Sequence, residues 1–483
     1  MSTSILFQDA TIIAFDVESK GFKIVSPGSL WVKDDRIAGI YDESTPVPSE
    51  LPADTEKVCA KGKIISPGFV DTHRHGWQTA FRTIAGNTTL PQYFFRYGQY
   101  AAMGSFNAED VYIGQLAGLY ECINAGVTTT LDHAHHTWDE ETSKAGLDGS
   151  IDSGVRVFWC FTFQTIPNDF SHERQLACAD NLRTDARLAT SPTEFGVSFD
   201  GWNMSPAEQV KTIVDFTVGK KVPVLTTHSL GGPWVIDNGP VVLDKHGMLQ
   251  TDVPVVISHA SFTTPEDIEL LRKSNQYVSI TPESEMHYGH DNEHSHEIMD
   301  QCALGVDTHF TFSTDMVTQA RIWLQATRRD LYRTKLANNT IGDTNPFDVE
   351  QAFYLATVAG GLALRRDDLG VIRVGAKADL VVFDGDSPNM LGFVDPLAAI
   401  LLHSNVGDVR HVLVDGKWRK KDGELLPSVN GDSWKETIQP RFLASAKEIQ
   451  KKYAERPLPK IEGKLFEVAD YAILNKVNVK RLQ

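Results

Sequence analysis

Cysteine is sparse and unpaired in this sequence: Cys59, Cys122, Cys160, Cys178 and Cys302 are scattered over 483 residues with no CxxC pair. That argues against a disulfide framework or a cysteine zinc site, and leaves buried reduced thiols as the expectation. Long apolar runs are missing too. No stretch of roughly 18 apolar residues occurs, and the opening MSTSILFQDATIIAFD lacks the basic start and long apolar segment of a secretory leader. A cytoplasmic protein with no membrane partner is expected. Positive charge is in deficit, 46 Lys and Arg against 63 Asp and Glu, for a formal net charge of -17. This opposes nonspecific binding to nucleic acid. What is present, 41% hydrophobic and 23% charged residues, is an ordinary globular composition, long enough for one large domain with a smaller companion.

The texture changes along the chain. Residues 1–66 hold short β-rich runs such as ATIIAFD and SLWVKDDRIAGIYD, broken by Asp34, Asp35 and a Pro/Ser cluster. Similar runs return over 366–430, in GVIRVGAKADLVVFDGDSP and DVRHVLVDGKWRKKDGEL. Between them, over 67–365, strand-like runs alternate with amphipathic helices. One helix starts at Asn107, carries Glu109 and Asp110 in its first turn and ends at Gly126; another is capped by Thr264 with Pro265 at its first position. The strand candidates number eight: GFVDTHRH, GVTTTLDHAH, VRVFWCFTFQ, FGVSFDGW, VPVLTTHS, VPVVISHAS, YVSITPESE and HFTFSTDM. This predicts an α/β fold, a (β/α)8 TIM-like barrel, whose chemistry sits at the C-terminal strand ends. Residues 431–483, with ASAKEIQKKYAERP, read as a helical extension docked on the barrel or on a neighbouring subunit, followed by an irregular basic stretch.

Those strand ends carry ionisable groups. In FVDTHRHGW the alternation of an extended chain sends His73 and His75 the same way, with Arg74 opposite. The other runs finish at Asp132 and His133, Asp200, His228, His259, Glu283 and Asp315. Histidine and carboxylate ligands suit zinc and similar divalent ions, and a catalytic site keeps one position open for water. His73, His75, His228 and Asp315 are the expected ligands, with Asp315 also accepting a proton and His259 beside the ion or its water. His133 and His135, in DHAHHTW, are expected around the ligands rather than among them, and HDNEHSHE at 290–297 as a solvated loop. Trp77 and Gln78, in a long aromatic loop after the first strand, are expected to bind a flat substrate.

The ordered set PGFVDTHRH, TTH, SHA, FSTD and VGAKADLVVFD resembles the amidohydrolase superfamily, in its cytosine-deaminase-like and chlorohydrolase-like branch, over about residues 5–430. The resemblance implies the same four metal ligands, His259 as the group that polarises substrate or orients the nucleophile, and a small composite β-sandwich built from both chain ends. Two family features are absent. FGVSFDGW has no lysine at the fourth strand end to bridge two metals, so one ion is expected, zinc with Fe2+ or Mn2+ as alternatives. The glutamate usual three residues after the fifth-strand histidine is replaced by Gly231. TPESEMHYGH is expected to compensate, with Glu283 catalytic and Glu285 and His287 at the substrate, the two glutamates sharing one strand face. The resulting reading is a homo-oligomeric, metal-dependent hydrolase that uses activated water on a C–N bond of a small heterocyclic or aromatic substrate. Its rivals are a lyase, decarboxylase or natural-product tailoring enzyme on the same scaffold, and a catalytically silent scaffold protein.

Overall fold

A computed structural model of the chain describes residues 3–292, 294–472 and 474. Eight parallel strands, Phe69–Arg74, Val127–Ala134, Arg156–Phe163, Glu194–Phe199, Leu225–Ser229, Val255–His259, Tyr277–Ile280 and Cys302–Leu304, are hydrogen-bonded in chain order. The ring closes where the first strand meets the residues just after the last. The N–H groups of Val306 and Asp307 donate to the His73 carbonyl at 3.0 and 2.8 Å, and Arg74 bridges Asp307 in the parallel sense. Asp71 stitches the same seam, its Oδ1 accepting from the N–H groups of His73 and Val306 at 3.2 and 3.0 Å.

The second and third strands, VTTTLDHA and RVFWCFTF, are buried at every residue, as a parallel sheet covered on both faces requires. The helices that cover it start and stop where their caps dictate. Asn107 and Asp110 form a reciprocal cap on Ala108–Ala125, which ends at Gly126 with φ +81°, and Thr264 caps Pro265–Ser274.

Six strands lie where the sequence predicts them; the last two require correction. The seventh stops at Ile280, because Pro282 opens a helix, Pro282–Tyr288, at the position where a missing N–H costs nothing. The eighth is the three-residue Cys302–Leu304. HFTFSTDM has the alternation of a strand but forms turns, since the barrel is already closed by Val306 and Asp307 and offers no free edge to it.

Strands from both chain ends build a second, nine-stranded sheet. Ser4–Asp16 pairs antiparallel with Gly21–Lys33 and parallel with Lys63–Pro67, which in turn pairs antiparallel with Leu380–Asp384. Phe7, Ile12 and Leu30 from one end pack with Ile372, Leu380 and Leu413 from the other in a core of their own. Neither end can complete this composite sheet alone. Lys63–Pro67 leads through Gly68 straight into the first barrel strand, so the sheet anchors the strand that carries His73 and His75.

The helix Gln439–Glu455 docks on the barrel: Arg441 pairs with Glu109 at 2.8 Å and Gln450 donates to the Ala80 carbonyl at 2.9 Å. The end of the basic tail, 473 and 475–483, lies outside the described residues. Among the described residues, no helix is long and apolar enough to cross a membrane.

Candidate metal centre

Three imidazoles are each tied from outside at Nδ1. His73 shares a hydrogen bond with Ser258 Oγ at 2.8 Å, His75 with the His133 carbonyl at 2.9 Å, and His228 with Asp200 Oδ2 at 2.8 Å. Such anchors fix ring orientation and leave Nε2 for a ligand. The Nε2 atoms converge: His75 and His228 stand 3.3 Å apart, and Asp307 Oδ1 lies 3.4 Å from His73 Nε2 and 3.3 Å from His75 Nε2. Two ligand atoms each about 2.0–2.1 Å from one zinc ion at tetrahedral angles are about 3.3–3.4 Å apart, so this spacing is the one a zinc ion needs.

Electrostatics agree with that fit. Burial holds the His73 imidazole well below its ordinary pKa, so the neutral ring has a lone pair to offer a cation. Burial alone would raise the Asp307 carboxyl, but the facing His73 and His75 imidazoles hold it well below the usual range. One carboxylate set among three imidazoles is a donor set that suits a divalent cation.

The carboxylate in this cluster is Asp307, not the expected Asp315. Asp315 caps the helix Met316–Ala337, its Oδ1 accepting from the Val317 N–H at 3.0 Å and its Oδ2 from the Thr318 hydroxyl at 2.7 Å. The signal for Asp307 is the short apolar run CALGV that ends on it.

His259 closes the sixth strand in a left-handed backbone, φ +71°, held there by Asn292 Nδ2 donating to its carbonyl at 2.6 Å. Its ring stacks over His228 at 5.8 Å and meets His73 edge-on at 5.2 Å. Burial lowers its pKa to about 3, so the imidazole is neutral. At Nδ1 it meets Thr281 Oγ1 at 3.0 Å and Glu285 Oε1 at 3.5 Å.

His133 comes closer to the ligands than expected. Its ring is fully buried with neither nitrogen hydrogen-bonded, lies 4.2 Å from that of His228, and places Nε2 3.4 Å from Asp200 Oδ2. His135 stacks on His75 at 3.9 Å. The centre is open on one side only: the side chains of His228 and Asp200 are 18% and 28% exposed, whereas His73 is wholly buried.

The expected substrate residues mostly lie elsewhere. Trp77 is buried and donates Nε1–H to His135 Nδ1 at 3.0 Å, and Gln78 is buried and donates to the Tyr93 hydroxyl at 3.1 Å. Both brace the loop from within, because a long loop of this kind needs its own apolar core. On the helix Pro282–Tyr288, Glu283 and Glu285 diverge instead of sharing a face, two residues being about 200° apart on a helix. Glu283 accepts from Gln319 Nε2 at 2.9 Å, and Glu285 turns inward behind His259. His287 meets the Thr88 carbonyl at 3.0 Å, joining this helix to the first loop. In the run 290–297, where Glu293 lies outside the described residues, His290 is no part of a solvated loop: it is buried, shares a hydrogen bond with Ser261 at 3.0 Å and packs 4.8 Å from His259.

Comparisons with known proteins converge. At 25% identity the chain is similar to a 5'-deoxyadenosine deaminase of Methanosarcina mazei, over 87% of this chain and 94% of that protein. It is also 25% identical to a 5-methylthioadenosine/S-adenosylhomocysteine deaminase of Thermococcus sibiricus, over 79% and 89%. Among solved structures, a zinc-bound adenosine deaminase from Xanthomonas campestris shares the fold with a TM-score of 0.77 at 17% identity, covering 94% of this chain and 99% of that one. The zinc complex of atrazine chlorohydrolase from Arthrobacter aurescens does so with a TM-score of 0.75 at 16% identity, covering 92% and 100%. The family model described as the amidohydrolase family matches residues 64–419, from the last strand before the barrel to the returning strands of the second sheet, and the chain therefore belongs to the amidohydrolase family.

Proposed function

We propose that this chain, a hydrolase of carbon–nitrogen bonds other than peptide bonds, is a deaminase that holds one divalent cation, zinc, on His73, His75, His228 and Asp307 and releases ammonia from a small amino-substituted nitrogen heterocycle. The observation that carries the reading is the 3.3–3.4 Å separation of His75 Nε2 from His228 Nε2 and of Asp307 Oδ1 from the Nε2 atoms of His73 and His75. The deaminase names of the relatives support the reaction class.

A divalent ion on these ligands supplies Lewis acidity and brings the pKa of a water to about 7. Asp307 Oδ1, beside the ligand nitrogens, accepts the proton that the attacking water gives up. His259, fixed by its strained turn, presents the ring nitrogen not facing Thr281 toward the reacting atoms. The substrate enters past His228 and Asp200, the exposed side of the centre, while the closed barrel behind His73 excludes bulk water.

Ammonia release from the purified zinc-loaded protein is the test, across 5'-deoxyadenosine, 5'-methylthioadenosine, other aminopurines, aminopyrimidines, pterins and aminotriazines. A turned-over substrate should take one oxygen from 18O-labelled water and stop turning over on chelation. Because Gly231 removes the usual acid, a lyase on the same ligands is the second reading; consumption of substrate without 18O uptake would establish it instead.

A further inference from the structure

The turn after the fifth strand disfavours an acid. Gly231 has φ +71°, and a Cβ there would stand 3.2 Å from Phe262 Cβ; at Gly232, φ +50°, it would stand 2.8 Å from the Phe262 ring. The proton for a departing nitrogen must come from another direction. Resting on the deaminase reading above, we propose that Glu285 supplies it from behind the centre, through Thr281 Oγ1 and the imidazole of His259.

The three groups form a connected row. Glu285 Oε1 lies 3.4 Å from Thr281 Oγ1 and accepts from the Thr281 N–H at 2.9 Å, and Thr281 Oγ1 lies 3.0 Å from His259 Nδ1. Glu285 is only 2% exposed. The groups facing it are His259, the buried Cys302 thiol, and Asp291 and Asp307, whose negative charges oppose its ionisation. Burial is the largest influence and pushes its carboxyl up to about 8, so it carries a proton at neutral pH.

The protons balance. The attacking water gives one proton to Asp307 as its oxygen bonds to the ring carbon, and the ring C=N pair moves onto the ring nitrogen. That pair returns as the exocyclic C–N bond breaks with its electrons on nitrogen. The nitrogen takes a proton from His259 Nε2 and leaves as ammonia, while the second water proton stays on the product. His259 Nδ1 takes a proton from Thr281 Oγ1, which takes one from Glu285. His259 changes tautomer without becoming charged. Asp307 ends protonated and Glu285 ionised, and exchange with solvent resets both. A cavity of about 310 Å³, lined by Glu285, Asp291, Asn292, Ser295 and Trp323 and separate from the metal ligands, gives Glu285 its own route to solvent.

The test uses zinc-loaded protein. Glu285→Gln keeps an acceptor for the Thr281 N–H and a donor toward its hydroxyl but has no proton to give. Full zinc content, KM within about twofold, a kcat lower by about 100-fold and loss of the fall in kcat above pH 8 are expected. Thr281→Val should match it, and stands in should the first variant fold poorly. The 15N signals of His259 provide a readout that needs no substrate: the tautomer should change as pH passes 8 in the parent and stay fixed in Glu285→Gln. Unchanged kcat and pH profile in both variants, or a His259 tautomer indifferent to Glu285, would overturn the relay. Absence of ammonia from every substrate overturns the deaminase reading instead, and the 15N titration still decides whether Glu285 governs His259.

Discussion

The backbone N–H of Asp307 donates to the His73 carbonyl at 2.8 Å while its Oδ1 stands 3.4 Å from the Nε2 of the same residue. Closure of the barrel and spacing of two candidate ligands are thus one event. The seam between the first and last strands carries the carboxylate to the histidines, so no separate loop has to order itself around the ion.

Asp307→Ala should therefore abolish stoichiometric zinc binding, whereas Asp315→Ala should leave zinc content intact and lower stability by about 1 kcal/mol through loss of a helix cap. Metal analysis and thermal melts of the two variants check this. Retained zinc in the first and lost zinc in the second would restore Asp315 as the ligand.

The anchors at Nδ1 should tune the ion without touching it. Ser258→Ala frees the His73 ring and Asp200→Asn removes the charge behind His228, and each should weaken zinc affinity by about 10–100-fold. Competition with a chromogenic chelator measures this directly, and parent-like affinity in both variants would show that packing alone orients the rings.

The histidines are legible in sequence because each ends a buried run of normal strand length, and period-two alternation puts His73 and His75 on one face. Asp307 is not, since its strand is three residues long while HFTFSTDM next door alternates more convincingly. Strand pairing decides, and only the closed ring reveals that no edge is left for that segment. Glu285 is hidden by a similar ambiguity: YVSITPESE reads as one extended run until Pro282 turns it into a helix, and a helix sends Glu283 and Glu285 in different directions. Trp77 and Gln78 have the right composition for substrate contact, but whether a loop aromatic faces outward or fills the loop depends on partners such as Phe106 and Trp138, both distant in sequence from Trp77.

Restoring the missing acid at its usual place should fail. Gly231→Glu forces a side chain into a left-handed backbone at φ +71° and against Phe262, at a cost of about 1–2 kcal/mol or more. A lower melting temperature with no gain in ammonia release is expected. A more active variant of unchanged stability would mean that the turn adapts and that an acid at 231 still has access to the centre.

Glu285 also makes stability depend on pH in a defined sense. Its carboxyl has an ordinary value of 4.5 and is pushed up to about 8 by burial, so between these values the folded chain keeps a proton that the unfolded chain has lost. The stabilising protonated state is fully counted below pH 4.5 and is lost as pH rises toward 8. Each unit within that window costs roughly 1.4 kcal/mol. Glu285→Gln has no such proton and escapes this loss. Other titrating groups, such as Asp71 at about 6, contribute equally to parent and variant and cancel in the comparison. With zinc saturating, the stability of Glu285→Gln relative to the parent should rise by about 2–3 kcal/mol between pH 6 and pH 8. Denaturant unfolding at the two pH values measures it, and a difference that stays constant would mean that Glu285 is already ionised in the folded chain and has no proton to relay.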